Sequence, residues 1–86
     1  MTKKKVIVQI REGIDVEHAK ELAAASERFE CRAWLEWNGN EINMRSLLNL
    51  VAVGITKGKE VTVVCDGEDE TAAADCFEEI LARKQS

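Results

Sequence analysis

Histidine is almost absent from this chain, His18 being the single example, and the three cysteines, Cys31, Cys65 and Cys76, stand far apart with no C-x-x-C pair. These scarcities leave metal chemistry poorly supplied and suggest neither a zinc site nor a disulfide framework. The thiols are expected to act as small, buried or half-buried hydrophobes, and no metal or cofactor is expected. No apolar run approaches the roughly 20 residues of a transmembrane helix, and no signal-peptide core follows the early lysines. A soluble, cytoplasmic protein without a membrane partner is the expectation. Clustered positive charge is also scarce: Lys3, Lys4 and Lys5 form the only basic run, in a chain of formal net charge -4. Phosphate neutralisation by Lys and Arg drives nucleic-acid binding, so direct contact with nucleic acid is not expected, and the run reads as the solvated start of a strand. Repeats, linkers and low-complexity tracts are missing too.

What remains is 86 residues, 45% apolar and 33% charged. That length supports one domain, residues 1–86, with one core burying roughly 60% of the unfolded chain's surface. The chain is organised around 11–29, R-E-G-I-D-V-E-H-A-K-E-L-A-A-A-S-E-R-F. Gly13 can take positive φ and Asp15 can cap a helix, so a turn and a helix start are predicted there. Val16, Ala19, Leu22, Ala23 and Ser26 form the inner face at helical spacing, with Glu17, Lys20, Glu21 and Arg28 outward. A helix start attracts anions. Here Glu12, Asp15 and Glu17 already supply carboxylates, against only Arg11, Lys20 and His18, and a mobile phosphate is repelled.

Before that helix, Lys5 to Ile10 is β-branched and predicts a strand with Val6, Val8 and Ile10 on one face. Glu30 to Trp37 alternates, Cys31, Ala33 and Leu35 against Arg32, Trp34 and Glu36. Asn38-Gly39 signals a type I′ hairpin turn into a short returning strand, Asn40 to Asn43. If Leu35 and Ile42 face the core, Trp34 falls on the open sheet face, either as a partner contact or as half-covered filler. Met44 to Ala52 predicts a short helix with Ser46 as its N-cap, and Leu47, Leu48, Leu50 and Val51 cover nearly its whole circumference, so some apolar surface points outward. Gly54 ends it. Glu60 to Cys65 is the cleanest strand, closed by an Asp66-Gly67 turn. From Asp69 a last helix buries Ala73, Cys76, Phe77, Ile80 and Leu81, with Asp69, Glu70, Asp75, Glu78 and Glu79 outward and Arg83 and Lys84 at its C-terminus. The fold class is α+β, in the order βαββαβα: a two-layer open-faced sandwich with a four-stranded antiparallel sheet covered on one face by three helices.

Three segments carry a family resemblance. G-I-D-V-E-H-A at 13–19 resembles the G-[IL]-H-A-R-P-A motif of HPr, the phosphocarrier of the bacterial phosphoenolpyruvate-dependent sugar phosphotransferase system. I-N-M-R-S-L-L at 42–48 resembles that family's regulatory serine segment, and V-V-C-D-G-E-D-E at 63–70 its fourth strand and acidic turn. The resemblance implies the open-faced sandwich and places Ser46 where a dedicated serine kinase acts. It also implies departures: Asp15 stands where the family has its acceptor histidine, Glu17 where it has arginine, and His18 where it has proline. A carrier needs a nucleophilic nitrogen and a cation for the transferred group. The chain therefore reads as a non-enzymatic regulatory member, similar to the HPr-like proteins that lack the histidine. Phosphorylation of Ser46 would be its switch, Arg45 would pair with the phosphate, and Leu47, Leu48 and Val51 would dock on a partner such as a transcription regulator. Two alternatives stand beside it: a divergent carrier using His18 or Asp15 with the phosphotransferase enzymes, and an interaction domain without phosphorylation.

Overall fold

The computed structural model describes residues 1–83; Lys84, expected at the last helix end, lies outside the described residues. The elements are β1 (Thr2–Ile7), α1 (Val16–Ser26), β2 (Cys31–Trp37), β3 (Asn40–Asn43), α2 (Leu47–Ala52), β4 (Glu60–Gly67) and α3 (Glu70–Ala82). They form one antiparallel sheet in the order β1-β4-β2-β3 with α1 packed against both α2 and α3 and the helices on one sheet face, the expected open-faced sandwich.

Alternation along each strand decides which side chains meet the helices. Val6, Leu35, Ile42, Val61, Val63 and Cys65 point inward to join Leu22, Leu50, Phe77 and Leu81 in a core closed to solvent. Burying a side chain of this size contributes about 1.5–3 kcal/mol, so this layer holds the helices in place. The hairpin forms as its turn residues require, with Asn38 at φ 53° and Gly39 at φ 81°.

Several expectations need correction. The first strand runs Thr2–Ile7, not 5–10, and Val8 and Ile10 reach the core from the connection that follows it. The lysines lie inside that strand, and Lys4 faces α3, where its ammonium pairs with Asp75 and, at 3.1 Å, with Glu78. Partners some seventy residues away determine this register, and no local pattern announces them. On α1 the inner face is Ala19, Leu22, Ala25 and Ser26, whereas Val16 is 47% exposed. The strand closed in expectation by Asp66-Gly67 continues through both, because Gly67 lies against Cys31, whose Cα would be 2.6 Å from an added Cβ. Asp69 and Glu70 turn inward: Asp69 Oδ2 accepts from the Glu30 amide at 2.8 Å, and Glu70 accepts from the Thr2 hydroxyl at 2.6 Å and the Met1 ammonium at 2.8 Å.

Candidate functional site

The turn before α1 is fixed by backbone. Gly13 sits at φ +74° and a Cβ there would come 2.5 Å from the Ile55 carbonyl oxygen, so only glycine lets 13–14 approach 55–56 this closely. The Ile14 amide then donates to that same carbonyl at 2.9 Å, tying the start of α1 to the segment after α2.

Asp15 follows in extended conformation and caps α1. One of its oxygens, Oδ1, accepts from the His18 amide at 3.0 Å and lies 2.6 Å from His18 Nδ1. His18 is not a solvated side chain: its ring is only 13% exposed and is held by the cap. A carboxylate accepts, so in this contact Nδ1 is the donor. The same two bonds, backbone first, hold the Asp15 carboxyl below its ordinary value. Glu17 and Glu12 stand exposed beside it, and among the described residues no Lys or Arg forms an ion pair with Asp15.

The second helix start is built differently. Asn43 makes the turn, its Oδ1 accepting from the Arg45 amide at 2.8 Å while its carbonyl accepts from the Ser46 amide at 3.0 Å. Ser46 occupies the N-cap position of α2, but its hydroxyl makes no capping bond, contrary to the role expected of it. With the turn already held by Asn43, that hydroxyl is left uncommitted to the helix. Arg45 reaches back to α1, which has no basic residue in its last turn. Its guanidinium donates to the Ser26 carbonyl at 3.3 Å and lies 3.8 Å from a Glu27 oxygen.

The apolar side chains of α2 divide sharply. Leu50 is buried, Leu47 and Val51 are half-buried against the core, and Leu48 is 82% exposed. The packed pair α1 and α2 runs antiparallel, Arg45 at the α2 start reaching the end of α1 and Ile14 at the α1 start bonding to the segment after α2, so the two helix starts, one closed by Asp15 and His18, the other bearing Ser46 and Leu48, stand at opposite ends of the pair. A groove of about 490 Å³ opens beside the turn before α2, lined by Asn43, Arg45, Arg32, Trp34 and Glu41, but not by Asp15, His18 or Ser46. Sequence reasoning missed Asn43, although an asparagine two residues ahead of the amide it holds is the ordinary signal of such a turn.

No described group of three or more His, Cys, Asp or Glu side chains is arranged to hold a metal ion. Among the described residues no helix is long and apolar enough to cross a membrane.

Comparison with known proteins fits this geometry. The family model described as "PTS HPr component phosphorylation site" matches residues 2–83. The HPr-like protein Crh of Bacillus subtilis is 32% identical over 73 residues, 85% of this chain and 86% of the relative. A crystal structure of Crh, described as a domain-swapped dimer, superposes with a TM-score of 0.77 at 27% identity, covering 100% of this chain and 99% of that one. The fold is shared as well with the phosphocarrier protein HPr of Bacillus anthracis, TM-score 0.88 at 21% identity over 93% of this chain and 95% of the other. With a family model spanning nearly every described residue and a fold to match, the chain belongs to the HPr family of the phosphotransferase system, whose members are phosphocarrier and regulatory proteins.

Proposed function

We propose that this protein is a regulatory HPr-family member, one domain over residues 1–86, that does not carry phosphate on histidine and is switched by phosphorylation of Ser46. The observation that carries the reading is the Asp15 carboxylate, bonded to both the amide and the ring of His18 at the start of α1. By its motif, Asp15 stands where the family keeps an acceptor imidazole and Glu17 where it keeps a guanidinium. An incoming phosphoryl group would meet fixed negative charge instead of a nucleophile and a balancing cation. An acyl phosphate on Asp15 generally needs a metal or positive clamp, and among the described residues no Lys or Arg forms an ion pair with that carboxylate.

Ser46 supports the other half. Its hydroxyl is not consumed in capping, and Arg45 beside it is half exposed, so a phosphate there could draw the guanidinium from the Ser26 carbonyl. Leu48, with Leu47 and Val51 behind it, offers an apolar contact one residue on, suited to a protein partner such as a transcription regulator in the cytoplasm.

A divergent carrier is the second reading, favoured by one feature: the cap orients the His18 ring much as a carboxylate orients a catalytic histidine, which would make Nε2 the acceptor. Incubation with phosphoenolpyruvate and the general phosphotransferase enzyme, followed by mass spectrometry, separates the readings. No adduct at 15 or 18 is expected, whereas a serine kinase with ATP is expected to add one phosphate, lost in Ser46→Ala. An acid-labile adduct on His18 would reverse the preference.

A further inference from the structure

The sheet face turned away from the helices carries Arg32, Trp34 and Glu36 in order along β2. Trp34 is half-buried: the Arg32 guanidinium lies 5.5 Å from its ring centroid, and its Nε1 donates to Glu36 Oε2 at 3.5 Å. Across the strands its row reads Lys3, Val64, Trp34, Asn43, and Val64 is fully buried although it belongs to no part of the core beneath the helices. The open face therefore has an apolar centre of its own. Among the described residues neither Arg32 nor Glu36 forms an ion pair, although Arg32 stands opposite Asp66 on β4, and three residues of strand between them set their Cα atoms about 13 Å apart. Glu36 instead stands directly opposite Glu41 on β3, a like-charge cross-strand pair that is unfavourable in isolation.

Cation, aromatic, anion is an order that complements itself when reversed. Two copies related by a two-fold axis through Trp34, perpendicular to β2, would stack Trp34 on Trp34. Each Arg32 would then lie opposite the other copy's Glu36, beside the Glu41 that lacks a counter-charge. Closed two-fold contacts require such self-complementary patches, and Trp and Arg dominate the centres of protein interfaces. We propose that the open sheet face is a homodimer interface centred on Trp34, with reciprocal Arg32–Glu36 pairs setting the antiparallel orientation. Lys3 lies two strands from Trp34 in the same row and would face its own copy, so the contact is confined to the β2–β3 half of the sheet. A patch roughly 15 Å by 20 Å falls at the small end of interfaces, and the dimer is expected to be reversible, with a Kd of about micromolar to millimolar. The helical face of each copy, with Ser46 and Leu48, stays open.

Sedimentation equilibrium of the native chain over a wide concentration range, beside Arg32→Glu and Glu36→Arg, tests this. Each variant places like charges opposite one another twice, and its Kd is expected to rise at least tenfold. Because the two variants complement each other, an equimolar mixture is expected to recover association near the native level, which a folding defect could not produce. A native chain that stays monomeric to millimolar concentration, a mixture that fails to associate, or a dimer indifferent to both substitutions, as strand exchange between copies would give, overturns the proposal.

Discussion

The two helix starts on the covered side of the sheet solve one problem in opposite ways. Both α1 and α2 begin with amides that no preceding turn can satisfy. At α1 the Asp15 carboxylate closes the end, engages His18 as well, and rests on a turn that only Gly13 can make. At α2 the preceding Asn43 holds the turn, leaving Ser46 with no capping bond and Leu48 in solvent. A committed carboxylate is poor chemistry and good architecture; an uncommitted hydroxyl is the reverse. The difference teaches that one helix start can be closed by its own carboxylate while another in the same chain leaves its cap hydroxyl unused, which is the contrast the proposed function rests on.

The comparison can be broken most forcefully at Gly13. Gly13→Ala puts a methyl group against the Ile55 carbonyl at positive φ, and a loss of about 3 kcal/mol in urea unfolding is expected. Next is Asp15→Ala, which removes the cap and the partner of the His18 ring, at about 1 kcal/mol. The same carboxyl gives a pH signature. Its folded pKa lies below the ordinary 3.8, so its stabilisation is present above that value and is lost as pH falls through the lower folded one. Asp15→Asn should flatten that part of the acid unfolding curve relative to the native chain. The smallest effect is expected at α2: Ser46→Ala and Leu48→Ser should each change stability by less than about 0.5 kcal/mol, since neither side chain supports the helix, while Leu48→Ser weakens binding to the phospho-Ser46 partner.

Much of this was legible in the chain itself. Asn38-Gly39 announces its hairpin, the alternation from Cys31 to Trp37 puts Leu35 and Trp34 on opposite faces without saying which is covered, and Asp15 reads as a cap. What stayed hidden depends on partners distant in sequence. Lys4 takes its place from Asp75 and Glu78, Asp69 turns inward to reach the Glu30 amide, and Arg45 is drawn to the end of α1. The ring of His18 could not be placed from spacing alone because the bond to Asp15 depends on a rotamer, and Ser46 occupied its expected position without making the bond expected there.

The most direct test follows labelled phosphate from phosphoenolpyruvate through the general phosphotransferase enzyme to this chain and onward to a sugar permease subunit. Native protein is run beside the double variant Asp15→His, Glu17→Arg, which restores the imidazole and guanidinium of the family motif. The account predicts that the native chain takes up no label while the variant does. Label relayed by the native chain would contradict it.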